Sequence, residues 1–301
     1  MAGSASVADS GFAFPSFPIG FGVFPLTGEA RPGYDESLTV IHAALDAGVR
    51  FLDTADSYQP VGGEVGFGET LVVDALRSWR GGDPSEVVVG TKGSRILLPN
   101  GERVSNGDPA YLRAACRASL ARLAPRSGAL DLYQLHRPDP AVPYEDSLGA
   151  LAELYDQGLV RAVGISNANP AQIAVAVETL GRRLVSVQNQ FGPGFLSSEP
   201  ELELCASLGL AFLPWSAFGG ADPEVALPVT FPVLGEIAAA HGVSWYRVVV
   251  AWMLAKPGRV LPIPGARRVE SIVDTIAGAS LELSPDELAR IESALHPERT
   301  A

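Results

Sequence analysis

Short β-branched runs alternate with helix-period segments along the whole chain. Eight runs read as strands: residues 18–22, 50–53, 87–91, 130–135, 160–166, 185–189, 211–215 and 260–262. Several, such as Val87-Val88-Val89 and Leu184-Val185, are continuously apolar rather than alternating. Strands covered by helices on both faces read in this way, as in a parallel sheet. Helix starts lie between them. Asp35 precedes Leu38, Ile41, His42 and Leu45 on one face, and Gly48 ends that run. Asp108-Pro109 and Asn169-Pro170 each set a capping side chain ahead of a proline suited to the first helical position. Ser284-Pro285-Asp286-Glu287 repeats the device with Glu287 at the capping-box position. Cys116 and Cys205 fall inside helical segments without clustered partners and read as small buried hydrophobes.

Eight strands, each followed by a helix and with no break in composition, favour an α/β fold of one domain over residues 1–301. The architecture they predict is a single (β/α)8 barrel with its active site at the C-terminal mouth. Residues 1–16 stand apart as a candidate loosely ordered leading segment. A doubly wound open sheet is the rival. It would want a glycine-rich phosphate loop, and Gly62-Gly63, Gly66 and Gly20-Phe21-Gly22 lack the fingerprint spacing.

Composition narrows the partners. The net charge of −12 over 301 residues argues against nucleic acid bound through the overall field. Two cysteines make no disulfide framework and fit a reducing, cytoplasmic setting. No apolar run reaches the roughly 18 residues of a membrane span, and no basic segment precedes the Phe-rich start as in a secretory signal. No apolar surface stripe stands out, so a monomer acting on a small molecule is the expectation.

In a barrel the chemistry sits on strand ends. Those ends carry Asp53, with Tyr58 five residues on, then Thr91-Lys92, His136, Ser166-Asn167 and Gln188-Asn189. Taken singly, an aspartate there reads as a cap, a tyrosine as rim packing and a histidine as structural. Lys92 differs, because a lysine directly behind Val87-Val88-Val89-Gly90-Thr91 has to point into the barrel mouth. A charge buried there requires a partner, and Asp53 on the neighbouring strand is the candidate. Together the four make a proton-transfer unit. A free tyrosine has a pKa near 10, and a nearby ammonium is expected to lower it. His136 can orient a substrate oxygen, and the unit suits proton delivery to a carbonyl. Ser166, Asn167 and Gln188 offer groups suited to a carboxamide ring.

These residues resemble the aldo-keto reductase family. The stretch Arg50-Phe51-Leu52-Asp53-Thr54-Ala55-Asp56-Ser57-Tyr58 is similar to its most specific signature. Val89-Gly90-Thr91-Lys92 is similar to the lysine strand, and Asp131-Leu132-Tyr133-Gln134-Leu135-His136-Arg137-Pro138-Asp139 to the histidine strand. Arg161-Ala162-Val163-Gly164-Ile165-Ser166-Asn167 and Val187-Gln188-Asn189 resemble the segments that hold the nicotinamide amide. Leu213-Pro214-Trp215-Ser216 resembles the segment that stacks on the nicotinamide ring, and Leu261-Pro262-Ile263-Pro264-Gly265-Ala266-Arg267-Arg268 the adenosine-phosphate loop. The resemblance runs from about residue 18 to residue 280 and points to a bacterial NADP-dependent member.

It implies a barrel that binds NADPH or NADP+ across its mouth, without a metal, and reduces an aldehyde or ketone. Tyr58 would be the general acid, tuned by Lys92 and Asp53, with His136 positioning the carbonyl. The cofactor would meet Gly22, Val23, Phe24, Ser166, Asn167, Gln188, Trp215, Ser216, Ala217, Phe218, Gly265, Arg267, Arg268, Asp274 and Thr275. Phe24, Phe191 and Phe218 would line the substrate pocket. Arg137 is a candidate anion contact there, and pairing with Asp139 is its structural alternative.

Three departures stand out. Gln59-Pro60 and a glycine-rich insertion follow Tyr58, so Glu69 fills the family's glutamate position and the loop is longer. Asp274-Thr275 replaces a Glu-Asn pair near the adenine, and Trp215 replaces Tyr or Phe. The run Ser216-Ala217-Phe218-Gly219-Gly220 is short, as in bacterial members acting on pyridoxal-like or general carbonyl substrates. A catalytically weak cofactor-sensing module, like channel auxiliary subunits, is the alternative function, and the intact four residues favour catalysis over it. A metal-dependent barrel hydrolase or lyase would need clustered ligands, whereas His42, His241 and His296 lie in or beside predicted helices.

Overall fold

A computed structural model describes residues 11–125, 127–219 and 227–299. Ten strands occur among them: β1 (Phe21–Gly22), β2 (Phe51–Asp53), β3 (Val88–Gly93), β4 (Arg95–Leu97) and β5 (Arg103–Ser105), then β6 (Leu132–Leu135), β7 (Val163–Ser166), β8 (Leu184–Gln188), β9 (Ala211–Phe212) and β10 (Arg259–Val260). All but β4 and β5 join one parallel sheet in the order in which they follow along the chain. The sheet curls back on itself. Gly20 N–H donates to the Pro262 carbonyl at 2.9 Å and Gly22 N–H to the Pro264 carbonyl at 3.0 Å, tying the segment after β10 to β1.

Helices cover the outer face. α1 (Tyr34–Asp46) follows β1, α2 (Phe67–Ser78) follows β2, and α3 (Pro109–Leu123) follows β5. After β6, β7 and β8 come α4 (Tyr144–Asp156), α5 (Pro170–Leu180) and α6 (Glu199–Leu208). Between β9 and β10 lie α7 (Leu227–Thr230), α8 (Pro232–His241) and α9 (Trp245–Leu254), and the chain ends with α10 (Val269–Ile276) and α11 (Pro285–Leu295). The cap residues act as their chemistry requires. Asp108 accepts from Tyr111 N–H, while Asn169 and Ser284 form reciprocal capping boxes with Gln172 and Glu287. At α1 the cap is Gly33 rather than Asp35, with the Glu36 carboxylate taking the Gly33 N–H at 3.0 Å. No single helix among the described residues is long and apolar enough to cross a membrane.

Burial on both faces explains the continuous apolar runs. One cluster packs between sheet and helices, and a second fills the inside of the curl with Phe51, Leu132, Ala162, Val185, Leu213 and Ile263. A register shift between β7 and β8 leaves Val185 without a partner across the ladder. Such a bulge re-aims the side chains that follow. Val185 packs in the inner cluster, and Ser186 beside it lies against Gly164 and the inward Gln134, so Gln188 points inward too. Sheet interior thus changes from apolar to polar over about two residues per strand.

The leading segment is tied down where it is described. Phe14 is buried against Phe51, with ring centroids 5.7 Å apart, and Arg259 donates to the Phe14 and Pro15 carbonyls. The expected loose segment therefore acts as a plug under the inner cluster over residues 11–16, and residues 1–10 lie outside the described residues. Phe14→Ala is expected to cost about 3 kcal/mol of unfolding free energy through the cavity it leaves. Urea titration of the variant beside the parent checks this.

Candidate active site

Lys92, next to last in β3, has no exposed surface. Its ammonium has three protons and three acceptors: Asp53 Oδ2 at 2.6 Å, the Thr54 carbonyl at 2.8 Å and Tyr58 Oη at 3.3 Å. Asp53, at the end of β2, is equally supplied, since its other oxygen accepts from Gln188 Nε2 at 2.8 Å and more weakly from Gln134 Nε2 at 3.4 Å. A buried ion pair survives only when its remaining hydrogen-bonding capacity is filled in this manner. Burial alone would depress the Lys92 pKa, but Asp53 and Tyr58 outweigh it and hold the group above its ordinary value. It is an ammonium at every physiological pH.

Tyr58 lies in the loop between β2 and α2. Gly68 permits the close approach of α2, because a Cβ there would stand 2.8 Å from Thr54 Oγ1 and 3.0 Å from Tyr58 Cβ. The Gly68 N–H also fixes the Tyr58 carbonyl at 2.9 Å. Burial raises the tyrosine pKa, and Lys92 and Arg103 only partly offset it, with Asp53 reinforcing the rise. The expected lowering by the ammonium does not prevail: desolvation of the ring wins, and Tyr58 keeps its proton at neutral pH. The His136 ring meets the Tyr58 ring edge-on at 5.6 Å. Its pKa is driven well below the ordinary value by burial, then by Lys92, Arg95, Arg137 and Arg103, so the imidazole is neutral. Among the described residues, no hydrogen-bond partner meets the buried His136 Nδ1.

The structure brings the four expected residues into contact. The candidate cofactor residues divide. Ser166 Oγ donates to the Gln188 carbonyl at 2.6 Å, and Asn167 Nδ2 to the His136 carbonyl and Ser166 Oγ, both at 3.0 Å. Asn189 clamps the same loop through both backbone groups of Ala168. Gln188, proposed for an amide contact, spends its NH2 on Asp53. Trp215 is half-buried over the inner cluster, next to Ser216, and Ala217 is buried. Phe218 packs edge-on against Trp245 and Tyr246 at the start of α9. Gly220 lies outside the described residues.

Phe24 is 47% exposed with its ring 5.0 Å from that of Tyr58, as a pocket wall would be. Phe191 is not a pocket residue. It is fully buried, stacked at 5.4 Å on Trp252 and edge-on to Phe212, so it belongs to the core behind the sheet. Arg137 does not pair with Asp139 either. Asp139 accepts from the Gly107 and Ala141 N–H groups, and Arg137 donates to Asn167 Oδ1 at 3.1 Å.

Gly265 passes so close to the Gly22 carbonyl and Pro25 that no side chain fits, which locks the loops after β1 and β10 together. Arg267 and Arg268 follow, both exposed and without an ion pair among the described residues. Arg268 is the N-cap of α10 and no side chain caps that end, so two guanidinium groups meet open backbone N–H groups. Asp274 and Thr275 are otherwise engaged. Asp274 takes Ser244 Oγ and, at 2.8 Å, Arg247 Nε, whereas Thr275 is buried and bonds the Ser271 carbonyl. Neither side chain is therefore free to contact an adenine.

Sequence reasoning missed a buried acidic pair behind Tyr58. Glu69, fully buried, accepts from Thr91 Oγ1 at 2.6 Å and from Arg122 Nε at 2.5 Å. Asp56 beside it is pushed up to about 8 by burial and then by Glu69, so it is a neutral acid at pH 7. Nothing in the spacing of residues 69 and 122 signals that contact. Away from this region, Glu199, Glu292 and His296 lie within ligand reach of one another, but the Lys256 ammonium is already bound between the two carboxylates at 3.3 and 2.7 Å.

Comparison with known proteins gives these contacts a class. The family model of the Aldo/keto reductase family matches residues 18–224 and 225–296. The chain is 35% identical over 269 residues to a 6-dehydroglucose reductase of Novosphingobium aromaticivorans, covering 85% of this chain and 84% of that one. Its fold is similar to a crystal structure of a thermostable aldo-keto reductase bound to the inhibitor epalrestat, with TM-score 0.78, 27% identity and coverage of 95% and 97%. It is also similar to an aldo-keto reductase of Klebsiella pneumoniae in complex with NADPH, with TM-score 0.74, 26% identity and coverage of 93% and 91%. The curled parallel sheet and the polar cluster at its strand ends thus define an oxidoreductase. The chain belongs to the Aldo/keto reductase family.

Lys92→Met is expected to destabilise the protein by about 3–5 kcal/mol, since it strands a buried carboxylate that only amides then contact. Chemical denaturation checks this, and Asp53→Asn in the same chain should recover part of the loss. Asp56 carries a pH dependence. Its pKa is about 8 in the fold against an ordinary 3.8, so the folded state retains a proton that the unfolded chain releases between those limits. Its contribution to stability is present below pH 4 and lost as pH rises through 8. The Tm of Asp56→Asn minus that of the parent should therefore grow more positive from pH 5 to pH 8, and a difference that stays constant contradicts the assignment.

Proposed function

We propose that the chain is an NADPH-dependent reductase of aldehydes or ketones, a (β/α)8 barrel whose site opens at the C-terminal mouth. One observation carries the reading: the Lys92 ammonium bridges Asp53 at 2.6 Å and Tyr58 Oη at 3.3 Å, with His136 against the same tyrosine. Support for the cofactor comes from the NADPH complex of the Klebsiella pneumoniae relative, and support for a carbonyl substrate from the 6-dehydroglucose reductase. The residues present fit an NADPH molecule. Unpaired, exposed Arg267 and Arg268 at the open start of α10 suit a 2′-phosphate, since a guanidinium can bind it in bidentate fashion. Half-buried Trp215 and the Ser166-Asn167 loop suit an aromatic amide ring.

When bound, NADPH supplies the hydride. The chain supplies the proton and the alignment. Tyr58 enters the reaction protonated, because burial holds its pKa above the ordinary value. Its hydroxyl donates to the substrate oxygen as negative charge builds there. The phenolate left behind sits 3.3 Å from Lys92 Nζ, and Asp53 keeps that ammonium in place. Neutral His136 can donate a hydrogen bond to the same substrate oxygen without competing as an acid. Phe24 borders the space, and the buried Tyr58 and His136 limit the access of water.

Tyr58→Phe should lower carbonyl reduction by about 10² to 10⁴ while leaving NADPH affinity within about twofold. Absorbance at 340 nm with 4-nitrobenzaldehyde, beside a fluorescence titration with NADPH, measures both. A variant that keeps more than about a third of turnover in a chemistry-limited reaction overturns the assignment. NADPH should bind at least about tenfold tighter than NADH, one charge-assisted contact to the 2′-phosphate being enough for that ratio. Arg268→Ala is expected to erase most of the difference, and equal dissociation constants in the parent refute it.

A further inference from the structure

The hairpin of β4 and β5 belongs to no sheet of the barrel, yet it delivers two arginines to the catalytic tyrosine. Arg95 pairs with Ser105 and Leu97 with Arg103 across the ladder, so Arg95 and Arg103 occupy one face. That face looks toward the loop of Tyr58. Arg103 donates to the Ser57 carbonyl at 2.8 Å and stands 5.6 Å over the Phe24 ring, which itself touches Tyr58. A third guanidinium comes from the strand of His136. Ser94 Oγ donates to the Arg137 carbonyl at 2.9 Å and accepts the Arg137 N–H at 3.0 Å, pinning Arg137 beside the root of Arg95.

None of the three has a carboxylate partner among the described residues. Seven arginines elsewhere form ion pairs among the described residues, and the others whose burial is described, Arg137 included, are exposed, so Arg95 and Arg103 are the two that are half-buried without a carboxylate. The Arg95 side chain makes no hydrogen bond among the described residues, although it is half-buried. Its pKa is lowered by burial and then by Arg137 and Arg103, so both neighbours repel it. Like charges held close without counter-ions among the described residues are a standing cost, and a ligand of opposite sign removes it. The cationic group lies on the Tyr58 and His136 side, on the loops after β3 and β6. Arg267 and Arg268, the residues suited to the cofactor phosphate, follow β10 instead.

We propose that the preferred substrate carries an anionic group, a carboxylate or phosphate at the end away from its carbonyl, bound by Arg95, Arg103 and Arg137. The proposal rests on the reductase reading and names its substrate class. A planar guanidinium fork binds either oxyanion in bidentate fashion, and three of them give orientation as well as affinity. Arg103 also holds the Ser57 carbonyl, so the test uses Arg95 and Arg137.

With the full chain and NADPH, 4-carboxybenzaldehyde is compared with its neutral isostere 4-formylbenzamide. The expected kcat/KM ratio is at least about tenfold in favour of the carboxylate, carried by KM. Arg95→Gln should reduce that ratio at least about threefold, Arg95→Gln with Arg137→Gln should bring it to about one, and Arg95→Lys should recover part of it. Calorimetry with benzoate and benzamide reads the anion site without turnover. Benzoate binding that is lost in the double variant, in a protein that reduces neither aldehyde, upholds the anion site and overturns the reductase reading. Equal kcat/KM for the two aldehydes, or a ratio unmoved in the double variant, overturns the proposal. So does a double variant that loses NADPH affinity while keeping the carboxylate preference, which assigns the arginines to the cofactor.

Discussion

An ammonium with no exposed surface has to be answered on every proton, and the interior of the sheet is arranged around that demand. Lys92 takes a carboxylate, a carbonyl and a phenol oxygen, and the carboxylate in turn draws Gln188 inward. Gln188 can reach Asp53 because β8 carries a bulge at Val185. The apolar layer of Phe51, Leu132 and Val185 beneath keeps water from relieving the pair from below. Removing any one of these parts leaves a buried polar group unanswered, which costs more than a surface contact could return. The pair is therefore a constraint on backbone register as much as an interaction.

The same pair sets the electrostatics of its neighbours in opposite senses. Lys92 favours ionised Tyr58, but Asp53 and burial oppose it, and the phenol stays protonated. His136 receives no compensation from Asp53 among its main influences and meets four cations, so it stays neutral. On the proposed reading, a protonated phenol beside a neutral imidazole gives one proton donor matched to oxyanion formation and one orienting hydrogen bond. A charge left on Tyr58 by proton loss would fall within reach of the Lys92 ammonium, which lies 3.3 Å from its Oη. The excess positive charge around this pair exists inside a chain of net charge −12, so it is local and built by the loops.

What the sequence shows and what it hides follow the range of the interactions. Eight strands are legible because covering both faces leaves continuous apolar runs, and Asp53, Lys92 and His136 are legible as polar breaks at their ends. The capping devices at Asp108, Asn169 and Ser284 are local and equally readable. The β4–β5 hairpin was missed although its signal is present: Asn100-Gly101 sits between Arg95-Ile96-Leu97 and Arg103-Val104-Ser105, and Gly101 takes the positive φ such turns demand. The bulge at Val185, the Glu69–Arg122 pair and the engagement of Asp274 by Arg247 depend on residues up to 53 positions apart. No pattern along the chain encodes those. Phe191 failed for a related reason, since an aromatic residue after a strand looks the same whether it turns to the mouth or to Trp252 behind it.

Backbone strain marks the same region that the charges do. Among the described residues, four that are not glycine have positive φ, and three of them, Ser94, Asn167 and Ser216, stand just past β3, β7 and β9. Such conformations cost of order 1 kcal/mol or more each and persist only where surrounding contacts over-determine them. Ser94 is held by two bonds to the Arg137 backbone, and Asn167 by the His136 carbonyl, Ser166 and Arg137. Ser94 and Asn167 are thus both bonded to the segment after β6, which carries His136. Relaxing Ser94 would release Arg137, and relaxing Asn167 would release the carbonyl of His136. The strands set the depth of the chemistry, and these strained loops set its lateral alignment, so a loop substitution that merely relieves strain should loosen the site before it loosens the fold.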